Sequence, residues 1–165
     1  MGHANIRIET PADFAGIRAV EKAAFPTQAE ADLIDRLRAD GDAVFSLVAL
    51  LDNGIIGHAV FSRMRAPFGT LGLGPVAVMA QHRRKGIAAN LIREGLRRAR
   101  EDGWKGVFVL GDPAYYGRFG FDVSLAAGFT SPYAGPHLMA VALQSDGLPS
   151  RDGSLEYAAA FAGLG

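Results

Sequence analysis

A strand, helix, strand unit with a basic, glycine-containing first junction constrains this chain more than any other feature. Leu71 to Ala80 is an almost unbroken apolar run, an amphipathic stretch begins at Gly86 and stops at Asp102-Gly103, and Gly106 to Leu110 is a second apolar run. Within the stretch, Ala88, Leu91, Ile92, Gly95, Leu96 and Ala99 recur at helical spacing, while Asn90, Arg93, Glu94, Arg97 and Arg98 take the opposite face. A helix with one apolar face packs on a sheet, and strands joined by such a crossover normally lie parallel. The arginine-rich face, with Arg100, reads as solvated, and Glu94 with Arg98 has i,i+4 spacing.

The junction is Arg83-Arg84-Lys85-Gly86-Ile87-Ala88. The first turn of a helix leaves backbone N–H groups without intrahelical partners, and the macrodipole adds partial positive charge there. Three cationic side chains reinforce both, and Gly86, with no side chain, lets the backbone approach a ligand. The expected ligand is a phosphate or pyrophosphate. Two rival phosphate motifs fail on spacing: the Walker pattern is absent, and Gly72-x-Gly74 lies too early and lacks the third glycine of the dinucleotide fingerprint. Neither a nucleoside triphosphatase nor a nicotinamide dehydrogenase is favoured.

The flanking sequence supplies the rest of one α/β fold. Ile6-Arg7-Ile8 alternates like a strand, and Thr10-Pro11 reads as a helix start, with that helix running to about Ala24. Thr27 and Glu30 have capping-box spacing for a second helix ending near Gly41. Val44 to Leu51 and Ile55 to Met64 predict an antiparallel hairpin around Asp52-Asn53-Gly54. Asp112-Pro113 predicts a short helix, Phe121 to Leu125 and Leu138 to Leu143 predict strands, and the tail carries a weak strand signal through Tyr157.

Bulk properties narrow the function. With 165 residues, 49% of them hydrophobic, the chain is the size of a single domain, 1–165, with a substantial core. Seventeen basic residues balance seventeen acidic ones, so no global field attracts nucleic acid. Absence of cysteine excludes disulfides, thiolate zinc sites and covalent parking on a protein thiol. His82 and His137 lack partners at metal-ligand spacing, so no metal is expected. Apolar stretches such as Ala43 to Leu51 are too short to span a bilayer, and a cytoplasmic protein, monomer or homodimer, with no membrane partner is expected. Met1-Gly2-His3 is assigned no function.

Arg83, Gly86 and Ala88 match the Arg/Gln-x-x-Gly-x-Gly/Ala hallmark of the GNAT superfamily of acyl-CoA-dependent N-acetyltransferases, which this chain therefore resembles. Tyr116-Gly-Arg-Phe-Gly-Phe121 is similar to the family's Tyr-x-x-x-Gly-Phe, and Leu110 to Phe121 looks like the YhbS-like bacterial branch. The resemblance implies an α/β (α+β) fold: a mixed, mostly antiparallel sheet of about six to seven strands flanked by helices, with a splayed parallel pair at the CoA site. It implies acetyl-CoA, or another acyl-CoA, as co-substrate and a primary amine as acceptor. Backbone groups of Val76, Ala77 and Val78 would hold the pantetheine arm. Arg83, Arg84, Lys85, Gly86, Ile87 and Ala88 would cradle the pyrophosphate, and Tyr116 would be the general acid, with Tyr115 as the neighbouring fallback.

Without the resemblance, Tyr116 reads as a core aromatic beside Tyr115, Phe119 and Phe121. Asp112 reads as an N-cap. Val76 to Ala80 contains no carboxylate where many relatives place a base, which motivates an alternative, an acyl-CoA-binding module or sensor without efficient transfer. Glu21 reads as a solvated helix residue and His58 as a packing histidine on the strand face of Ile56 and Val60, and neither is assigned as base. The acceptor-side segments, the first helices with Arg65 to Thr70 and Phe129 to His137, carry no sharp motif.

Overall fold

The computed structural model describes residues 4 to 164; Met1-Gly2-His3 lies outside them. Among the described residues, β1 (Asn5–Ile8), β2 (Ala43–Leu51), β3 (Gly54–Arg63), β4 (Thr70–Val78), β5 (Gly106–Leu110) and β7 (Leu138–Ala142) form one mixed sheet in that order, and β6 (Phe129–Thr130) and β8 (Gly153–Ser154) form a separate pair. The chain divides into two compact units, one made of residues up to Phe61 with Gly74–Gly95 and the segment from Ala159, the other of Ser62–Leu73 and Leu96–Ala158.

In the first unit, β1 (Asn5–Ile8) pairs antiparallel with β2 (Ala43–Leu51), from Asn5 opposite Leu50 to Ile8 opposite Leu47. The helix expected from Pro11 opens instead as a 3₁₀ turn, Pro11–Asp13, before α1 (Phe14–Ala24). The reason is the Asp13 N–H, which donates to the Thr10 carbonyl at 2.9 Å, an i→i+3 bond that tightens the entry. The Asp13 carboxylate in turn accepts from the Thr10 N–H at 2.7 Å and from both arms of the Arg7 guanidinium at 2.7 and 3.0 Å. Arg7, and then Thr10, hold that carboxyl well below the usual carboxylate range. Next comes α2 (Ala29–Ala39), whose first N–H donates to Thr27 Oγ1 at 3.2 Å; it buries Leu33, Ile34 and Leu37.

The hairpin forms one residue earlier than its Asn-Gly pair suggests. Asp52 and Asn53 take the left-handed conformations, φ 50° and 65°, and Gly54 already begins β3 (Gly54–Arg63). Asp and Asn tolerate that region, so both central positions of the tight turn are met without glycine. β3 neighbours β4 (Thr70–Val78), and the crossover helix is α3 (Ile87–Glu101). Leu91 and Ile92 of α3 have no exposed surface, and a β-carbon on Gly95 would collide with the Phe61 ring, so this glycine sets how closely helix and strand approach.

In the second unit, β5 (Gly106–Leu110) runs parallel to Thr70–Leu73 of β4 and antiparallel to β7 (Leu138–Ala142). Between β5 and β7 lie α4 (Pro113–Tyr116), a 3₁₀ turn Gly117–Phe119 and α5 (Val123–Ala126). The strand expected over 121–125 is therefore a helix. Asp122 bonds once to the sheet, exchanging N–H···O bonds of 2.9 and 3.1 Å with Ala140, and its carboxylate then caps α5 by accepting from the Ser124 N–H at 2.8 Å. Local capping outcompetes the apolar run. β6 (Phe129–Thr130) pairs parallel with β8 (Gly153–Ser154), and the tail strand shrinks to β8 plus a bridge between Arg65 and Glu156. Phe108, Phe129, Leu138 and Leu155 centre the core of this unit.

Candidate functional site

The basic junction is built by the end of β4 and the start of α3. Val76 is half-buried and Ala77 and Val78 are buried, and the Met79 N–H donates to the Ile56 carbonyl at 2.8 Å, fixing this strand end against β3. A 3₁₀ turn, Ala80–His82, follows. Arg83 is exposed, yet its Nε donates back to the Val78 carbonyl at 3.2 Å, so the side chain ties the loop to the strand it leaves.

Arg84, Lys85 and Gly86 form an exposed turn ahead of the fifteen-residue α3. Arg84 and Gly86 are left-handed, φ 63° and 79°, and nothing lies within 4 Å of where a β-carbon on Gly86 would stand. Left-handed residues interleaved in a turn point successive N–H groups to one side, which makes an anion-binding concavity. The Asn90 N–H makes a helical bond to the Gly86 carbonyl at 2.9 Å, so the amides of Ile87, Ala88 and Ala89 are those of the first turn, without intrahelical acceptors. Ile87 is buried and Ala88 half-buried, which anchors the turn from below while its polar side faces solvent. The arrangement suits a ligand carrying several negative charges.

Tyr116, in the second unit, ends α4. Asp112 is the N-cap of that helix, accepting from the Ala114 N–H at 3.0 Å. The Tyr116 ring meets Tyr115 and Phe121 edge to face at centroid distances of 5.1 and 5.8 Å, so it packs among aromatics as composition alone suggests. Burial, with a smaller push from Tyr115, raises its pKa above that of an ordinary phenol, so the hydroxyl keeps its proton throughout the neutral range. A packed phenol that holds its proton has the state a general acid needs. The Arg118 guanidinium lies 4.6 Å from the Tyr115 ring centroid, which commits Tyr115 to a stacking contact.

Glu21 is not the solvated residue that its charge suggests: four residues after Ile17, it lies on the buried face of α1. Neither Glu21 nor His58 has exposed surface, and His58 Nδ1 lies 2.7 Å from Glu21 Oε2 while its Nε2 lies 2.7 Å from Ser46 Oγ. With Glu21 ionised, Nδ1–H donates to the carboxylate and Nε2 accepts from the Ser46 hydroxyl. Burial raises the Glu21 pKa and the contact with His58 opposes the rise. His58 is also more than a packing residue, since both ring nitrogens are engaged. The three residues come from α1, β2 and β3, separated by 37 and 12 positions, and no local motif links them. The sequence signals are Glu21 four residues after Ile17 on α1 and a histidine sharing strand parity with Ile56 and Val60.

On the polar face of α3 an i,i+4 pair forms between Arg97 and Glu101, at 2.7 Å. Arg100 is drawn off that face, with Nε donating to the Leu143 carbonyl at 2.8 Å. Among the described residues no group of three or more His, Cys, Asp or Glu is placed to hold a metal ion, and no helix is long and apolar enough to cross a membrane.

A model of the acetyltransferase (GNAT) family matches residues 11–121. YhbS of Escherichia coli K12, described as an uncharacterized N-acetyltransferase, is 42% identical over 123 residues, which cover 72% of this chain and 74% of YhbS. The crystal structure of E. coli YhbS in complex with CoA superposes with a TM-score of 0.91 at 36% identity, covering 98% of this chain and 93% of that one. A GNAT family acetyltransferase from Brucella melitensis, crystallised with acetyl-CoA, gives a TM-score of 0.82 at 37% identity, covering 98% and 99%.

Proposed function

This chain belongs to the GNAT family of acetyltransferases, and from that premise we propose that it moves an acetyl group from acetyl-CoA to a primary amine of a small molecule or peptide, by direct attack in a ternary complex. It is an acyl-CoA-dependent N-acetyltransferase, in which residues 1–165 act as one catalytic domain. The observation that carries the reading is the exposed left-handed turn at Arg84 and Gly86, opening onto the first turn of α3 directly beyond β4. The relatives crystallised with CoA and acetyl-CoA support an acyl-CoA as the ligand.

On this reading the amides from Arg84 to Ala88 receive the pyrophosphate, while Arg84 and Lys85 add charge. Val76, Ala77 and Val78 run beside the pantetheine arm; the Val78 carbonyl already accepts from Arg83, so Val76 and Ala77 make the larger contribution. Arg83 acts mainly by shaping the loop. The neutral amine attacks the thioester carbonyl, a tetrahedral oxyanion forms, and the C–S bond breaks as Tyr116 gives the departing thiolate its phenolic proton. The nitrogen of the product releases a proton in exchange, and Tyr116 is restored.

The protein has no thiol of its own, so release of CoA can be followed with a thiol reagent without background from the enzyme. A panel of small amines, amino sugars and peptides, offered with acetyl-CoA, is expected to yield at least one acceptor whose acetylation matches thiol release. Binding of acetyl-CoA with no acceptor-dependent release across the panel would instead favour a CoA-binding module.

A further inference from the structure

We infer that Glu21 is the base that takes the proton of the acceptor amine, through one bridging water, and that His58 is the positioning residue that holds it; this rests on the amine-acetylating reading above. A primary amine is an ammonium ion at neutral pH and cannot attack until it loses a proton. Val76 to Ala80, the end of β4 and the start of the turn after it, offers no carboxylate for that purpose.

Glu21 offers a half-used one. Its Oε2 is held by His58 at 2.7 Å, and its buried Oε1 has no hydrogen-bond partner among the described residues. A bare carboxylate oxygen away from water is costly, and such orphans call for an explanation in function or in a bound water. Glu30, on α2, also carries a buried Oε1 without a partner, and its charge reinforces the rise that burial imposes on Glu21. A carboxylate with its pKa raised by burial, anchored through one oxygen and with the other lacking a hydrogen-bond partner, is what general-base catalysis requires. Because Glu21 has no exposed surface, a water must carry the proton to it.

The groups around Glu21 come from four places. His58 faces it from β3, with Ser46 of β2 behind. Glu30 faces it from α2. Glu9, just after β1, places Oε1 3.9 Å from His58 Nε2, but that carboxylate is paired with Arg38 of α2 at 2.9 Å, which leaves Glu21 as the tighter partner of the imidazole. In the step itself an N–H bond of the ammonium breaks, the proton passes by way of the water to Glu21 Oε1, and the freed lone pair forms the N–C bond to the thioester carbon. Glu21 returns the proton to solvent before the next turnover.

The test combines an NMR titration of the Glu21 side-chain carbon in the wild-type protein with pH–rate profiles for the best amine from the panel. Glu21 is expected to titrate above the ordinary value of about 4.3, and kcat/KM to fall on the acid side with the same midpoint. Glu21→Gln should lose that limb and about a hundredfold in kcat, with acetyl-CoA affinity unchanged. His58→Asn removes a contact that favours the carboxylate, so the limb should move to higher pH and the rate should recover in alkali. Titration of Glu21 at its ordinary value, or a Glu21→Gln enzyme that keeps wild-type kcat and its acid limb, would overturn the assignment. If wild-type protein acetylates no amine, the transferase reading falls and this one with it; if it acetylates while Glu21→Gln is unaffected, only the base assignment falls.

Discussion

Two polar clusters of the first unit are built on opposite principles. The turn from Arg83 to Gly86 is contiguous in sequence, exposed, and shaped by backbone conformation, with charges that solvent screens. The Glu21–His58–Ser46 cluster is assembled from three elements, lies away from solvent, and is shaped by side-chain hydrogen bonds of 2.7 Å. The first can lose a charge with little effect on folding because water replaces the lost interaction. The second cannot, because a buried ionised group deprived of its partner has nothing to replace it. Ligand affinity and fold stability should therefore respond to mutation in different places.

The largest expected effect sets the clusters apart directly. His58→Leu leaves Glu21 buried without its partner and should lower unfolding free energy by about 3–5 kcal/mol, whereas Arg84→Ala should change it by less than about 0.5 kcal/mol. Urea denaturation of both variants measures this; equal losses would erase the distinction. Next, Tyr116→Phe should reduce kcat by about a hundredfold or more with acetyl-CoA affinity nearly intact, as read by thiol release and calorimetry. Unchanged turnover would remove Tyr116 from its role. Because burial raises its phenol pKa, loss of activity through its ionisation should begin at a higher pH than for an ordinary phenol.

Smaller effects refine the contrast. Gly86→Ala, at φ 79°, should cost about 1–2 kcal/mol of stability and weaken acetyl-CoA as the turn distorts. An unaffected affinity would show that the turn geometry is not used. The smallest concerns the part-exposed Arg7–Asp13 pair. A carboxyl with a depressed folded pKa contributes stability that is fully present above its unfolded value, about 3.9, and is lost as pH falls toward the folded value. Wild type should therefore lose more stability than Asp13→Asn on acidification below about pH 4, by about 1 kcal/mol, in urea titrations at stepped pH.

What the sequence disclosed follows the same division. The strand, helix, strand unit was legible because periodicity is local: the positions of Leu91, Ile92 and Ala99 on α3 state which face is buried, and all three have no exposed surface. The Arg83 to Ala88 turn was legible as a contiguous motif, and Asp112 as an N-cap because the cap and its Ala114 partner lie two residues apart. Misreadings came where a short-range bond competes with an apolar pattern. Asp122 caps α5 inside a run that reads as strand, and Asp52-Asn53 takes the hairpin turn that Asn53-Gly54 advertises. Glu21 departs from expectation for a different reason. Its charged side chain reads as solvated, although the helical period places it with Ile17 and Val20 on the buried face of α1, and only the folded arrangement brings β3 against it.

The central claim, that the turn before α3 holds the acyl donor, is tested most directly by titrating acetyl-CoA calorimetrically into wild-type protein and into an Arg84→Glu, Lys85→Glu double variant. Saturable binding to wild type is expected, with a dissociation constant raised at least about tenfold in the variant, about 1.4 kcal/mol, at unchanged folding stability. Equal affinities in two folded proteins would contradict it.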